Sequence, residues 1–166
     1  DLNFSKALLY YYFPDKIQLY AAVMDSLIQK MGEVIRQEVE SAESTLSAIF
    51  IYLEKRQEFV KTHYNLLSES HKTPEMPAPV LEIFKKAIES EKLLLVDVLS
   101  RASERGEMST SNDLQLIADI FLDAVTGIRL RMRQLHKFIL PDKEQFDELL
   151  QKEKKLAEIF LNGLRA

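Results

Sequence analysis

Apolar residues recur at intervals of three and four in long stretches of this chain, each stretch closed by a polar or proline-bearing break. Tyr20, Val23, Leu27, Ile28, Met31, Val34, Ile35 and Val39 mark one face of a helix from about Lys16 to about Ser41. Asp15 is placed to cap its free N–H groups, with Gln18 able to reach back, and Pro14 keeps the preceding segment from running into it. Gly32 is a point where this helix can bend. A second helix, Thr45 to about Ser70, follows Leu46, Ile49, Phe50, Leu53, Val60, Tyr64 and Leu67. Pro74, Pro77 and Pro79 then break the pattern. Helix resumes from Val80 to Arg105 through Phe84, Ala87, Ile88, Leu94, Leu95, Val98, Leu99 and Ala102, with a division expected near Glu89-Ser90-Glu91 and a left-handed stop at Gly106. Ser111 or Asn112 is expected to cap a fourth helix, through Leu114, Ile117, Ala118, Phe121, Leu122, Val125 and Ile128 to about Lys137. Beyond Pro141, Asp142 caps a last one carrying Phe146, Leu149, Leu150, Leu156, Ile159, Phe160 and Leu164. No useful stretch alternates with the period of a strand, so the expected fold class is all-α, a helical bundle.

Composition narrows what such a bundle can be. With 166 residues and 46% hydrophobic side chains, the chain can bury a sizeable core as one domain, or one domain with a small appendage. The absence of Cys rules out disulfides and thiolate metal sites and suits a cytoplasmic location. The longest apolar runs, such as Leu93-Leu94-Leu95-Val96, fall far short of the roughly 20 residues of a membrane helix, so no membrane partner is expected. A net charge of −4 is wrong for a surface that binds nucleic acid everywhere, so any DNA contact has to be local.

One stretch stands out from this background: Ser5-Lys6-Ala7-Leu8-Leu9-Tyr10-Tyr11-Tyr12-Phe13-Pro14-Asp15-Lys16. That much aromatic surface must be buried or must touch a partner. Ser5 would cap a helix that ends before Phe13-Pro14 and is too short to stand alone, with Phe4, Leu8, Leu9 and Phe13 on its buried side. The spacing of Ser5, Lys6, Leu9, Tyr10, Tyr12, Phe13, Lys16 and Leu19 resembles the end of the helix-turn-helix in TetR-family transcriptional regulators. Leu2-Asn3-Phe4 fits the turn ahead of the recognition helix, with Asn3 where a glycine is usual, and Ala7 replaces another habitual glycine. The motif match covers about residues 2 to 23, and the layout of long helices extends the likeness to the whole chain.

The resemblance implies residues 1–15 as the remnant of a DNA-reading helix-turn-helix, 16–41 as a connecting helix, and 42–166 as a ligand-binding and dimerising domain. Two further helices would precede Asp1, an extension of about 30 to 45 residues that would carry basic charge. Double-stranded operator DNA is then the expected partner, with phosphate and base contacts from Ser5, Lys6, Tyr10, Tyr11, Tyr12 and Lys16. A small, mostly apolar effector would bind among Phe59, His63, Tyr64, Leu67, Met76, Phe84, Ile88, Phe121 and Val125 and release a repressor from its operator. A homodimer would form through Ile117, Phe121, Leu122 and Ile128 of the fourth helix and Leu149, Leu156, Ile159 and Phe160 of the fifth.

Other chemistry finds little support. His63, His71 and His136 have no metal-ligand spacing, and neither a glycine-rich phosphate loop nor a G-x-S-x-G elbow is present, so no enzyme, metal or cofactor is expected. Arg129, Arg131, Arg133, His136 and Lys137 close their helix as cations suited to its dipole, with Asp142, Glu144, Asp147 and Glu148 as ready partners. An arginine facing the cavity would instead suit an anion. The alternative from another class is a helical interaction or carrier protein in which the tyrosines are a packed corner and DNA has no part.

Overall fold

The structure, a computed structural model, describes residues 11–69, 76–108, 113–136 and 141–165. Within them are helices α1 (Lys16–Glu40), α2 (Thr45–Glu69), α3 (Ala78–Glu104), α4 (Leu114–His136) and α5 (Lys143–Leu164), and no strand. The all-α bundle expected from the periodicity is the fold observed.

Each boundary has a local cause. Asp15 Oδ1 accepts from the Gln18 N–H at 2.8 Å and starts α1. Ser44 and Ser47 cap α2 reciprocally: the Ser44 hydroxyl oxygen accepts from the Ser47 N–H at 3.2 Å, and the Ser47 hydroxyl oxygen from the Ser44 N–H at 3.0 Å. α3 opens on Pro77, whose carbonyl accepts from Val80 and Leu81. At its far end Gly106, with φ +72°, lets its own N–H reach the Ser103 carbonyl and the Glu107 N–H reach the Ala102 carbonyl, which satisfies two otherwise free acceptors. α4 is capped by Asp113, which accepts from the Gln115 and Leu116 N–H groups at 3.1 Å; Ser111 and Asn112, the expected caps, lie outside the described residues. Asp142 and Gln145 form a full capping box at α5.

Two expectations about helix continuity change. α3 runs unbroken through Glu89-Ser90-Glu91. The interruption lies in α2 instead, at His63, where φ −111° and ψ 16° leave the helical region. Neither glycine nor proline stands there, so nothing in the local sequence announces it. The buried stripe of α1 is also narrower than its apolar pattern: Ala21, Met24, Ile35 and Val39 are buried, whereas Val23 and Val34 face solvent.

α2 packs on α3, α3 on α4, α4 on α5 and α5 back on α2, and α1 lies across α2 and α3. One end of this ring is a dry core in which Ile49, Leu53, Leu95, Leu99, Phe121 and Val125 are almost wholly buried and the Phe121 ring meets Phe160 at 5.1 Å. Each such large side chain stabilises the fold by roughly 1.5–3 kcal/mol. At that end the turn after α3 is clasped to the start of α2. Arg105 Nη2 donates to the Thr45 hydroxyl at 2.9 Å, Thr45 donates to Glu107, and Arg105 Nε donates to Glu107 at 2.6 Å.

The hydrogen bonds from Arg105 and then Thr45 hold the Glu107 carboxyl below the usual glutamate range. A carboxyl that is more acidic folded than unfolded binds fewer protons in the folded state. The clasp therefore contributes fully above the ordinary glutamate value of about 4.3 and is lost as pH falls through the lower folded value. Glu107→Gln should lower the urea midpoint at neutral pH and make the decline below about pH 4.3 shallower. Parallel midpoint-versus-pH curves for the two proteins would refute the clasp.

Candidate functional site

The opposite end of the ring is not filled. A cavity of about 610 Å³ lies between all five helices, within the size range of small-molecule sites. Ile28 and Met31 of α1, Val60 of α2, Ala87 of α3, Met132 of α4 and Phe146 of α5 form apolar parts of its wall. Of the candidates from the sequence, Phe59, Tyr64, Leu67, Phe84 and Ile88 line it. His63 does not; it sits at the kink with its ring 4.6 Å from Phe59. Met76, half-buried just ahead of α3, is also absent from the wall. Phe121 and Val125 belong to the dry core. Helical periodicity identifies the inward face of α4, but not the level along its axis at which packing gives way to open space.

The polar part of the wall, Arg56, Gln57, Glu91, Arg129 and Glu153, does not follow from the apolar periodicity. Tyr52 donates to Glu91 Oε2 at 2.9 Å, Arg56 Nε donates to Glu91 Oε1 at 2.9 Å, and Arg129 Nε donates to Glu153 Oε1 at 2.6 Å. Glu153 is 1% exposed. Burial first, and then the neighbouring Glu91 charge, push the Tyr52 phenol well above its ordinary value and keep it a donor. Burial by itself would lower the Arg56 pKa, but the Glu91 carboxylate and further acidic neighbours outweigh it, so the guanidinium stays charged. Gln57 is buried too: its amide N–H donates to the Phe146 carbonyl at 2.6 Å, and its enclosed Oε1 has no donor among the described residues.

A signal for these residues was available in spacing. Glu91 falls between Ile88 and Leu94, Glu153 between Leu149 and Leu156, and Arg56 between Leu53 and Val60, each on the apolar stripe of its helix. A charge on an inward stripe must find a partner across the bundle. The arginines near the end of α4 do not act together as helix-end cations. Arg129 turns inward to Glu153, while Asp147 pairs with Lys61 and Glu148 with Lys152. Arg131 faces solvent, and Arg133 stands exposed at the cavity mouth.

The cavity end of the ring is also where α1 begins. The Tyr20 hydroxyl donates to the Leu66 carbonyl at 2.7 Å, on the part of α2 beyond the kink that supplies Tyr64 and Leu67 to the cavity wall. That hydrogen bond ties the cavity wall to the first turns of α1. Just ahead, Tyr11 and Tyr12 are 81% and 67% exposed with rings 5.2 Å apart edge to face, and Lys16 is exposed at the helix start. Ser5, Lys6 and Tyr10 lie outside the described residues.

Most residues expected at a dimer interface are taken up by the bundle itself. Phe121 and Leu122 are core, Ile117, Leu156 and Phe160 pack against it, Ile128 is half-buried, and Leu149 lines the cavity. Of that set only Ile159 is largely exposed. The outward apolar residues of α4 are instead Leu116, Ile120 and Leu130, which share one helix face with Gly127.

No family model matches the sequence, and no curated protein is significantly similar to it. Solved structures share the fold. A transcriptional regulator from Cytophaga hutchinsonii superposes with a TM-score of 0.83 over 98% of this chain and 82% of its own, at 20% identity. The fatty acid degradation regulator FadR from Bacillus halodurans gives 0.73 over 97% and 83%, at 14% identity. A TetR-family regulator from Agrobacterium tumefaciens gives 0.68 over 98% and 82%, at 17% identity. The fold is thus TetR-like, as the resemblance at the recognition helix implied. Among the described residues no cluster of His, Asp or Glu could hold a metal ion, and no helix is long and apolar enough to cross a membrane.

The Arg129–Glu153 pair is enclosed enough that removing one partner strands the other. Glu153→Ala should cost about 3–5 kcal/mol in urea denaturation, and replacing the pair together as Arg129→Met with Glu153→Leu should recover most of that loss. A cost under about 1 kcal/mol for Glu153→Ala would mean the pair is open to solvent.

Proposed function

We propose that this protein is an effector-responsive transcriptional regulator, a repressor that leaves its operator when a small molecule enters the cavity. The observation that carries the reading is a cavity walled by all five helices in a TetR-like fold, with α1 forming part of the wall. An occupant that displaces Tyr64 and Leu67 shifts the Leu66 carbonyl, and through Tyr20 the start of α1. The DNA-reading end that includes Tyr11, Tyr12 and Lys16 moves with it. Two such ends read half-sites on one DNA face, so a displacement of a few ångströms breaks their register.

In an electrophoretic shift assay of the full-length gene product on operator DNA selected from genomic fragments, Tyr11→Ala and Lys16→Ala should weaken binding several-fold. Lys16→Ala alone should also lower the slope of log affinity against log salt by about 1. Tyr20→Phe should keep basal binding and lose part of the release by effector. Failure to select any DNA would reject the regulator in favour of a carrier.

The exposed strip of Leu116, Ile120, Gly127 and Leu130, with Ile159 on α5, is the dimer face in this reading, since Gly127 lets a second helix approach closely. Sedimentation at micromolar concentration should give a dimer that Ile120→Asp converts to monomer. A monomer in the unsubstituted protein would remove this face from the proposal.

A further inference from the structure

We propose that the occupant of the cavity is an amphipathic monoanion, a carboxylate on a mostly apolar body, held by the terminal N–H edges of Arg56 and Arg129. The inference rests on reading the cavity as an effector site. Both arginines line it, yet each spends only its Nε–H on a glutamate: Arg56 on Glu91, Arg129 on Glu153. Their Nη groups meet no acceptor among the described residues. Nor are these groups sealed in protein. The side chains keep 26% and 19% of their surface accessible, and Gln57 Oε1 is the wholly enclosed side-chain polar atom without a partner among the described residues. The unused donors therefore keep accessible surface on two side chains that both line the cavity.

The two guanidiniums also belong to one cluster. Both lie near enough to the Tyr52 phenol to act on its ionisation, and Arg56 is near enough to Glu153 to feel its charge. A planar donor edge matches the two oxygens of a carboxylate, which a hydroxyl or an ammonium does not reproduce. Charge agrees with shape. The wall carries Arg56, Arg129 and Arg133 against Glu91 and Glu153, which leaves one positive charge for one negative ligand. Gln57 Oε1 is enclosed and turns no acceptor toward the anion. Phe59, Phe84, Ile88 and Met132 leave the remainder of the cavity for an apolar body.

The test is calorimetric titration of the full chain at neutral pH with decanoate, methyl decanoate and decylammonium. Decanoate should bind at least about tenfold more tightly than its ester, the scale of charge-assisted hydrogen bonds, and decylammonium weakest of the three. The joint replacement Arg129→Met with Glu153→Leu removes one donor edge without stranding a charge. It should cut decanoate's advantage over the ester by about tenfold and change ester affinity by less than about threefold. An ester that binds as tightly as decanoate, or a double variant that weakens both equally, overturns the head-group assignment and leaves the cavity as an effector site. Absence of binding by all three probes overturns the assignment and the effector cavity together. Should the double variant fail to fold, the order of the three probes on the unsubstituted protein decides by itself.

Discussion

Charge on inward helix faces is the constraint around which this molecule is arranged. Arg56, Glu91 and Arg129 are largely but not wholly covered and Glu153 is enclosed, so each needs a partner across the bundle. They can be tolerated only if α2 meets α3 and α4 meets α5 in the registers that bring each cation to its carboxylate. The ion pairs make the packing directional, and Tyr52, hydrogen-bonded to Glu91 while surrounded by core, anchors them to the dry half of the ring.

The same residues divide the interior in two. On one side the ring closes on Leu53, Leu95, Leu99 and Phe121, each 2% exposed or less. On the other, Arg56, Glu91, Arg129 and Glu153 line a cavity of about 610 Å³. The kink at His63 places Tyr64 and Leu67 in the wall of that cavity and the Leu66 carbonyl within reach of Tyr20. A polar boundary, a bent helix and one tyrosine thus connect the interior to the end of the molecule where Tyr11, Tyr12 and Lys16 are exposed.

Much of this could be read from the chain alone. Caps at Asp15 and Asp142, the stop at Gly106 and the three-four spacing of apolar residues rest on interactions within a few positions of each other, so the five helices and their all-α class followed from local chemistry.

What the tertiary structure decided lies between elements. Periodicity shows which face of α4 turns inward, but only the meeting of α4 with α5 places Phe121 in solid core and Arg129 beside the cavity. Leu122 and Phe160 read as an interface until the bundle itself is seen to consume them, leaving Leu116 and Ile120 outside. Glu91 read as part of a break in its helix, and Glu153 did not stand out, because their partners are 35 and 24 residues away along the chain. Local propensity acts within a turn or two of helix. The enthalpy of a buried ion pair exists only when distant segments come together, and that is why the site, unlike the fold class, had to wait for the assembled structure.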